Sequence, residues 1–201
     1  MEYIGDVIYD YASGLYVNLT NRCPCACEFC IRTMADSLGG ADSLWLKREP
    51  SAAEVIELLG EWNLHNYEEI VFCGYGEPLV RLEEVLEISH YVKQHTGLRV
   101  RINTNGLADL IHGKPTAWML NPLVDAVSIS LNAPTAEHYN ELCHPDFGME
   151  SWPAILKYTA EVKAYVPDVT MSVVSGSITS EDVELCRKIA EEDLGVKFRV
   201  R

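Results

Sequence analysis

Four cysteines within eight positions carry the strongest chemical signal in this sequence. They are Cys23, Cys25, Cys27 and Cys30, and they follow directly after a predicted strand. Cys23, Cys27 and Cys30 have the spacing C-x3-C-x2-C. Thiolates are soft ligands that suit iron–sulfur clusters, and three thiolates on one short loop can bind three corners of a cubane. The fourth iron then keeps an open coordination site, which a catalytic cluster needs.

Two other interpretations of these cysteines stay open. All four thiols together match a zinc site, although structural zinc sites usually take two well-separated ligand pairs. Cys27 and Cys30 also form the C-x-x-C pair of a redox dithiol, but without a thioredoxin-like context. For Cys25 the sequence leaves open an inert, solvent-facing thiol or a competitor for iron during assembly. Cys73 is predicted to pack in the second strand, whereas Cys143 and Cys186 are isolated and are predicted to be core or surface thiols.

A glycine turn follows the second predicted strand, in the segment Cys73–Pro78. Two glycines at the carboxyl end of a strand let the backbone approach a ligand closely, and ligands of α/β folds bind at this end of the strands. Polar residues also end the third strand, at Asn103–Gly106, and the fourth, at Ser130–Asn132. Ordinary turn chemistry explains these polar residues equally well.

The elements that position these residues are short apolar strands alternating with amphipathic helices. The strands are predicted at Leu15–Thr20, Glu69–Cys73, Leu98–Asn103, Ala126–Leu131, Asp168–Val174 and Val196–Val200. Apolar residues three or four apart predict helices over 52–62, 82–92, 135–142, 155–165 and 183–194. Ser51 and Glu54 form a capping box before the first helix.

This order of elements predicts parallel βα units rather than hairpins, and six units fall short of the eight in a closed barrel. We therefore expect an α/β fold, an incomplete (β/α)6 TIM-like part-barrel with parallel strands, in a single domain over residues 1–201. Several strands alternate apolar and polar residues, which predicts a polar lumen that contains water and a polar ligand. The candidate substrate contacts there are Arg101, Asn103, Arg199 and Arg201. Arginine forks match carboxylate and phosphate, so we expect an anionic or otherwise polar substrate.

The composition excludes several classes of protein. The net charge of −14 argues against an extended nucleic-acid surface, because phosphate binding needs clustered Lys and Arg. No apolar stretch approaches the roughly 20 residues of a membrane helix, and no secretory signal is recognisable. We therefore expect a cytoplasmic protein without membrane contact. The odd number of cysteines favours metal or redox chemistry over a disulfide framework.

The cysteine spacing, with an aromatic residue just before the last cysteine, resembles the signature of the radical SAM superfamily. The resemblance implies a 4Fe–4S cluster on Cys23, Cys27 and Cys30, whose open iron binds the amino and carboxylate groups of S-adenosylmethionine. The reduced cluster would then cleave this cofactor to methionine and a 5′-deoxyadenosyl radical. The residues implied to bind S-adenosylmethionine are Phe29, Gly74, Tyr75, Gly76, Glu77, Pro78, Asn105, Ser130 and Asn132. Phe29 would pack near the adenine, and the glycine turn would receive the methionyl ammonium group.

Longer stretches, among them Asn21–Pro24, Phe72–Pro78 and Ser128–Ala133, look like the small radical SAM proteins associated with TatD nucleases. The resemblance implies an electron donor such as flavodoxin or ferredoxin and a functional link to a TatD-type nuclease, but it fixes no substrate. Three hypotheses follow. The chain is a radical enzyme acting on a small polar or anionic molecule or a nucleotide, an activase that places a glycyl radical on a partner enzyme, or a non-catalytic zinc-binding module.

Overall fold

The apolar segments fold as strands, with helices between most of them, in a computed structural model that describes residues 4–35 and 38–201. The chain divides into two compact units. The first unit comprises the residues up to Cys23 with 31–103 and 123–125, and the second comprises 24–30, 104–122 and 126–201. The expectation of a single domain over the whole chain stays a prediction. In the described part of the chain, no helix has the length and apolarity needed to cross a bilayer.

The first unit is built on four strands and two helices. The strands are β1 (Ile8–Tyr11), β2 (Gly14–Val17), β3 (Glu69–Phe72) and β4 (Arg99–Thr104), and the helices are α1 (Ala52–Leu59) and α2 (Leu82–His95). Strands β2, β3 and β4 pair in parallel, with Leu15 opposite Ile70 and Ile70 opposite Val100. These apolar side chains are fully buried, so the strands sit in the core of the unit.

Strand β1 corrects the prediction that the chain contains no hairpins. It pairs antiparallel with β2, with Tyr9 opposite Tyr16, and the two rings pack with their centroids 5.3 Å apart. The turn between them lacks the Asn-Gly or Asp-Gly pair that announces most tight hairpins. Ala12 instead adopts the left-handed conformation, with φ of 53°.

The second unit is built on three strands and four helices. The strands are β5 (Ala126–Ser130), β6 (Asp168–Val173) and β7 (Lys197–Val200), and the helices are α3 (Ala108–His112), α4 (Ala136–Cys143), α5 (Ser151–Val162) and α6 (Ser180–Lys188). Strands β5, β6 and β7 pair in parallel, with Ile129 opposite Met171 and Met171 opposite Phe198. A π-helical turn over Ile189–Asp193 extends α6.

The predicted strands and helices are confirmed, with shifts at their ends. The capping box of Ser51 and Glu54 forms as expected at the start of α1. The first predicted strand ends earlier than expected, at Val17, because Asn18 leaves the strand pattern. Its side-chain amide donates to the carbonyl oxygen of Leu44 at 2.7 Å.

Candidate cofactor site

The seven cysteines, all of which lie within the described residues, are present as thiols and differ in exposure. Cys23, Cys27 and Cys30 are partly exposed, whereas Cys25 and Cys143 are buried. The structure therefore corrects the solvent-facing alternative for Cys25, whose exposed fraction is 5%. The three thiols with the predicted ligand spacing are accessible, and the extra thiol inside their loop is not.

In the first unit, the two glycines of the turn lie against the segment that leads from β2 to Cys23. A Cβ added to Gly74 would lie 2.6 Å from Cγ of Asn18, and one added to Gly76 would lie 2.7 Å from the carbonyl oxygen of Arg22. The backbone N–H of Glu77 donates to that same oxygen at 2.8 Å. Both glycines are required by close approach, because any side chain there would push the turn away from this segment.

The other residues of the turn make contacts within the first unit. Tyr75 is buried, its ring meets Trp45 edge-on at 5.1 Å between centroids, and its hydroxyl donates to the carbonyl oxygen of Ala35. Glu77 is also buried, and its carboxylate accepts from the N–H of Leu79 at 3.0 Å. Pro78 is buried at the start of a 3-10 turn. The cofactor contacts implied for this turn stay predictions.

Glu49 connects the segment before Cys23 to the rest of the first unit. Its carboxylate accepts from the hydroxyl of Thr20 at 2.5 Å, from Arg22 at 2.6 and 2.9 Å, and from Arg81 at 3.0 Å. Burial alone would raise the pKa of Glu49, but the hydrogen bonds from Arg22 and Thr20 and the nearby arginine charges outweigh it and lower that pKa. No sequence pattern indicates Glu49, because its partners lie about thirty residues away on either side.

In the second unit, the cysteine loop is bonded to the end of α4. The N–H groups of Ala26 and Glu28 donate to the carbonyl oxygens of Cys143 and Leu142, at 3.0 and 3.1 Å. These carbonyls belong to the last turn of the helix, where they lack partners within the helix itself. Phe29 lies partly exposed in the turn that follows.

Asn105 and Asn132, both predicted to contact the cofactor, direct their side-chain amides to buried thiols. Nδ2 of Asn105 donates to Sγ of Cys25 at 3.9 Å, and Nδ2 of Asn132 donates to Sγ of Cys143 at 3.7 Å. Oδ1 of Asn132 is buried and has no hydrogen-bond partner among the described residues. A buried acceptor left in this way costs about 1–3 kcal/mol, and a ligand that donates a hydrogen bond to it would recover that cost.

Tyr139 and Cys143 lie beside these contacts, and the sequence does not indicate either of them as a site residue. The hydroxyl of Tyr139 lies 3.7 Å from Sγ of Cys25, and Tyr139 is buried. A hydrogen bond to Cys27, together with burial, raises the pKa of Cys143. Burial, followed by the neighbouring cysteines, raises the pKa of Tyr139. Both groups are therefore protonated near neutral pH.

Arg101, predicted to bind an anionic substrate, lies in an ion pair. Its guanidinium binds the carboxylate of Glu69, at 2.7 Å for the closest pair of atoms, and also donates to Oδ1 of Asn103 at 2.8 Å. Burial alone lowers the pKa of Arg101, but its bonds to Glu69 and to the hydroxyl of Tyr16 raise it by more. The charge of Arg101 is therefore balanced within the protein, which weakens the prediction that this residue binds an anion.

Arg199 and Arg201 lie on or next to β7 and are exposed. Arg199 donates to the hydroxyl of Ser128 at 3.2 Å, and Arg201 donates to the hydroxyls of Ser130 and Ser172 at 2.8 and 3.1 Å. The hydroxyl of Ser130, predicted to contact the cofactor, is thus an acceptor for Arg201. The two arginines therefore bind the serine hydroxyls on the polar faces of β5 and β6 through these three hydrogen bonds.

The donor set fits an iron–sulfur cluster in its chemistry. Three partly exposed thiols with the spacing C-x3-C-x2-C are soft ligands of the type that iron–sulfur clusters take. Within residues 4–35 and 38–201, no group of three or more His, Cys, Asp or Glu side chains is already arranged to bind a metal ion. The assignment of these thiols to a cluster therefore stays a prediction.

Comparison with known proteins gives the family. The model of the radical SAM superfamily matches residues 17–190, which is most of the chain. The chain belongs to the radical SAM superfamily. Members of this superfamily are enzymes, and membership implies a 4Fe–4S cluster and S-adenosylmethionine as cofactors.

The curated radical SAM relatives are longer than this chain. It is 29% identical over 181 residues to the tungsten-containing aldehyde ferredoxin oxidoreductase cofactor-modifying protein of Pyrococcus furiosus. This alignment covers 88% of this chain and 46% of that protein. It is 34% identical over 142 residues to GTP 3′,8-cyclase of Corynebacterium glutamicum, in an alignment that covers 67% of this chain and 35% of that protein. The chain thus spans less than half the length of both relatives.

Among solved structures, a radical SAM methyltransferase from Sphaerobacter thermophilus matches with a TM-score of 0.63 at 18% identity, over 96% of this chain and 57% of that chain. This likeness confirms the predicted α/β fold of the part-barrel type with mostly parallel strands. At this level of identity it shows the fold alone.

We expect Gly76→Ala to lower the free energy of unfolding by about 1–3 kcal/mol, because its Cβ would overlap the backbone of Thr20 and Arg22. Urea denaturation measures this loss. Gly97→Ala is the matched control, since a Cβ at Gly97 would meet no atom within 4 Å. Equal stability of the two variants would contradict the close approach.

We expect Glu49→Gln to lower the free energy of unfolding by about 1 kcal/mol at pH 7. The folded-state pKa of Glu49 is lowered, so the stabilisation is fully present above the unfolded pKa of about 4.3. It is lost as the pH falls through the lowered folded-state pKa. The difference from the wild type should therefore shrink between pH 5 and the acid limit of folding, whereas exposed Glu57→Gln should show little difference at any pH. A difference for Glu49→Gln that does not depend on pH would argue against the charge network.

Proposed function

We propose that this chain binds a 4Fe–4S cluster on Cys23, Cys27 and Cys30 and S-adenosylmethionine beside it, and that it abstracts hydrogen from a small polar or anionic substrate. The observation that carries the proposal is the pattern of exposure within the cysteine loop. The three thiols with the ligand spacing are partly exposed, while Cys25 is buried. Family membership supplies the cofactors, and the exposure pattern supports these three positions as the ligands.

The backbone on each side of the loop supports the thiols in the proposed site. Glu49 fixes Arg22, the residue before Cys23, through a bidentate pair at 2.6 and 2.9 Å. The N–H of Cys30 donates to the carbonyl oxygen of Cys27 at 3.1 Å and closes the turn between these two residues. The ligands are thus attached to backbone that is already ordered by other contacts, which lowers the entropy cost of binding.

A cluster held by Cys23, Cys27 and Cys30 would supply the electron for reductive cleavage of S-adenosylmethionine to methionine and the 5′-deoxyadenosyl radical. The polar groups we assign to S-adenosylmethionine are the backbone of Gly74–Glu77 and the side chain of Asn132. Oδ1 of Asn132 is a buried acceptor without a partner among the described residues, and the ammonium and hydroxyl groups of the cofactor are donors that suit it.

The substrate proposal rests on Arg199 and Arg201, because Glu69 already balances the charge of Arg101. The guanidinium groups of Arg199 and Arg201 are exposed, and their forked donors suit phosphate or carboxylate. A nucleotide is one member of this class, and a curated relative is named as a GTP cyclase.

We propose a cytoplasmic setting, a small redox protein such as flavodoxin or ferredoxin as the electron donor, and a functional link to a TatD-type nuclease. The thiol pattern supports the first, since partly exposed thiols persist in a reducing compartment. The second follows from the proposed cluster, which needs an electron before it can act. The resemblance of the glycine-turn and strand-end motifs to TatD-associated proteins supports the third.

Anaerobic reconstitution with iron and sulfide tests the cluster assignment. We expect the reduced protein to form 5′-deoxyadenosine from S-adenosylmethionine, and Cys23→Ala, Cys27→Ala and Cys30→Ala each to reduce the product to background. Each replacement removes one of the three ligands that leave a single iron open. Product analysis by liquid chromatography is the measurement, with buried Cys186→Ala as the control. A zinc-containing protein that carries no sulfide would contradict the proposal.

Binding of GTP and guanosine tests the substrate class. If phosphate is recognised by the β7 arginines, GTP should bind more tightly than guanosine, and Arg199→Gln should weaken GTP binding about tenfold, a loss of about 1.4 kcal/mol. Titration calorimetry on the reconstituted protein gives both constants. Lys197→Gln is the control, because it removes a charge from the same strand that is already paired with Asp168 at 2.9 Å. Equal affinity for GTP and guanosine would remove phosphate recognition from the proposal.

A further inference from the structure

Cys27 is fixed against the end of α4 by the backbone on both of its sides. Ala26 before it and Glu28 after it donate to the carbonyl oxygens of Cys143 and Leu142, at 3.0 and 3.1 Å. Two hydrogen bonds to adjacent carbonyls leave Cys27 little freedom to move away from the helix. The backbone of Cys143 is therefore a fixed neighbour of Cys27, although the two residues lie 116 positions apart in the sequence.

The hydrogen bonds around Cys143 determine to which neighbour its thiol can donate. The backbone contact of Ala26 with Cys143 at 3.0 Å places Cys27 next to Cys143, and a side-chain hydrogen bond to Cys27 is the largest cause of the raised pKa of Cys143. Nδ2 of Asn132 is an obligate donor, and it approaches Sγ of Cys143 at 3.7 Å, so the sulfur of Cys143 is the acceptor in that contact. A thiol has a single hydrogen to donate. The S–H of Cys143 is thus available to donate to Cys27.

Neighbouring side chains fix the buried surroundings of this thiol. The hydroxyl of Tyr139 contacts Sγ of Cys25 at 3.7 Å, and Asn105 donates to the same sulfur at 3.9 Å. Cys143 and Tyr139 are at most 1% exposed. The Cys143 end of its contact with Cys27 is therefore shielded from water.

We propose that Cys143 is a positioning residue of the cluster site, whose thiol donates a hydrogen bond to the sulfur of Cys27 and thereby raises the reduction potential of the bound cluster. The inference rests on the proposed function, since it takes Cys27 as a ligand. A hydrogen bond to a ligand sulfur withdraws negative charge from it and so favours the reduced cluster. Cys143, predicted to be a core or surface thiol, lies in the core, and the proposal adds a role beside the cluster.

The test is an EPR-monitored redox titration of the reconstituted full chain. We expect Cys143→Ala to have a lower midpoint potential than the wild type, because no donor remains. Cys143→Ser should restore the potential toward the wild-type value, because its hydroxyl can donate. Cys186→Ala is the matched control, since it also removes a buried thiol but lies on α6, and its potential should not change. Thermal unfolding of the metal-free proteins reports separately on any loss of packing.

Each outcome decides the proposal. A lower potential in Cys143→Ala with restoration in Cys143→Ser supports it, and equal potentials in wild type and Cys143→Ala overturn it. If Cys143→Ala does not fold, Cys143→Val repeats the test, because valine fills the space and has no hydrogen to donate. Wild-type protein that takes up no cluster contradicts the proposed function itself, whereas a normal cluster with an unchanged potential contradicts the role of Cys143 alone.

Discussion

The backbone hydrogen bonds between the cysteine loop and the end of α4 are the constraint on which the described arrangement of Cys27 depends. A loop with four cysteines in eight positions forms no regular secondary structure, so its N–H groups need partners from elsewhere. The last carbonyls of a helix have the converse need. Ala26 and Glu28 meet both needs at once, because they donate to Cys143 and Leu142. These two hydrogen bonds give the loop a defined conformation against the end of α4.

Charge pairing imposes a second constraint, at the strands. A polar strand face packed among apolar elements is stable only if its charged and hydroxyl groups are paired. Arg101 is paired with Glu69 at 2.7 Å, and Arg199 is bonded to Ser128 at 3.2 Å. These pairs satisfy polar groups on strands that alternate apolar and polar residues. They also separate Arg101, whose charge is balanced, from Arg199, whose side chain is exposed.

The sequence predicts local features well and distant contacts poorly. The strands β3 to β7 and the capping box at Ser51 are confirmed because short-range periodicity and capping chemistry determine them. Strand β1 is missed because its turn uses Ala12 in a conformation that usually indicates glycine. The contact between Cys25 and Tyr139 joins residues 114 positions apart, so no spacing pattern could indicate it.

The residues of the candidate site also divide into local features, which the sequence predicts, and distant contacts, which it does not. The ligand spacing of the cysteines and the two glycines of the turn are visible in the sequence, because their chemistry depends on residue type and near neighbours. The packing of Tyr75 against Trp45, and the bond from Asn105 to Cys25, depend on which side chains the fold brings together. A polar side chain that can bind a ligand can equally form a hydrogen bond within the protein, and only the observed contacts distinguish these two roles.

Two buried amide oxygens near the candidate site have no hydrogen-bond partner among the described residues, which lowers the stability of the fold there. Asn18 and Asn132 each use Nδ2 in a hydrogen bond, while Oδ1 has no partner in the described part of the chain. Each such oxygen costs about 1–3 kcal/mol, a substantial fraction of the 5–15 kcal/mol by which a domain is stable. Gly74 lies directly beside Oδ1 of Asn18 and has no side chain to cover it. Asn18 directly follows β2 and Asn132 lies two residues after β5, so each oxygen lies at the carboxyl end of a strand, where ligands of α/β folds generally bind.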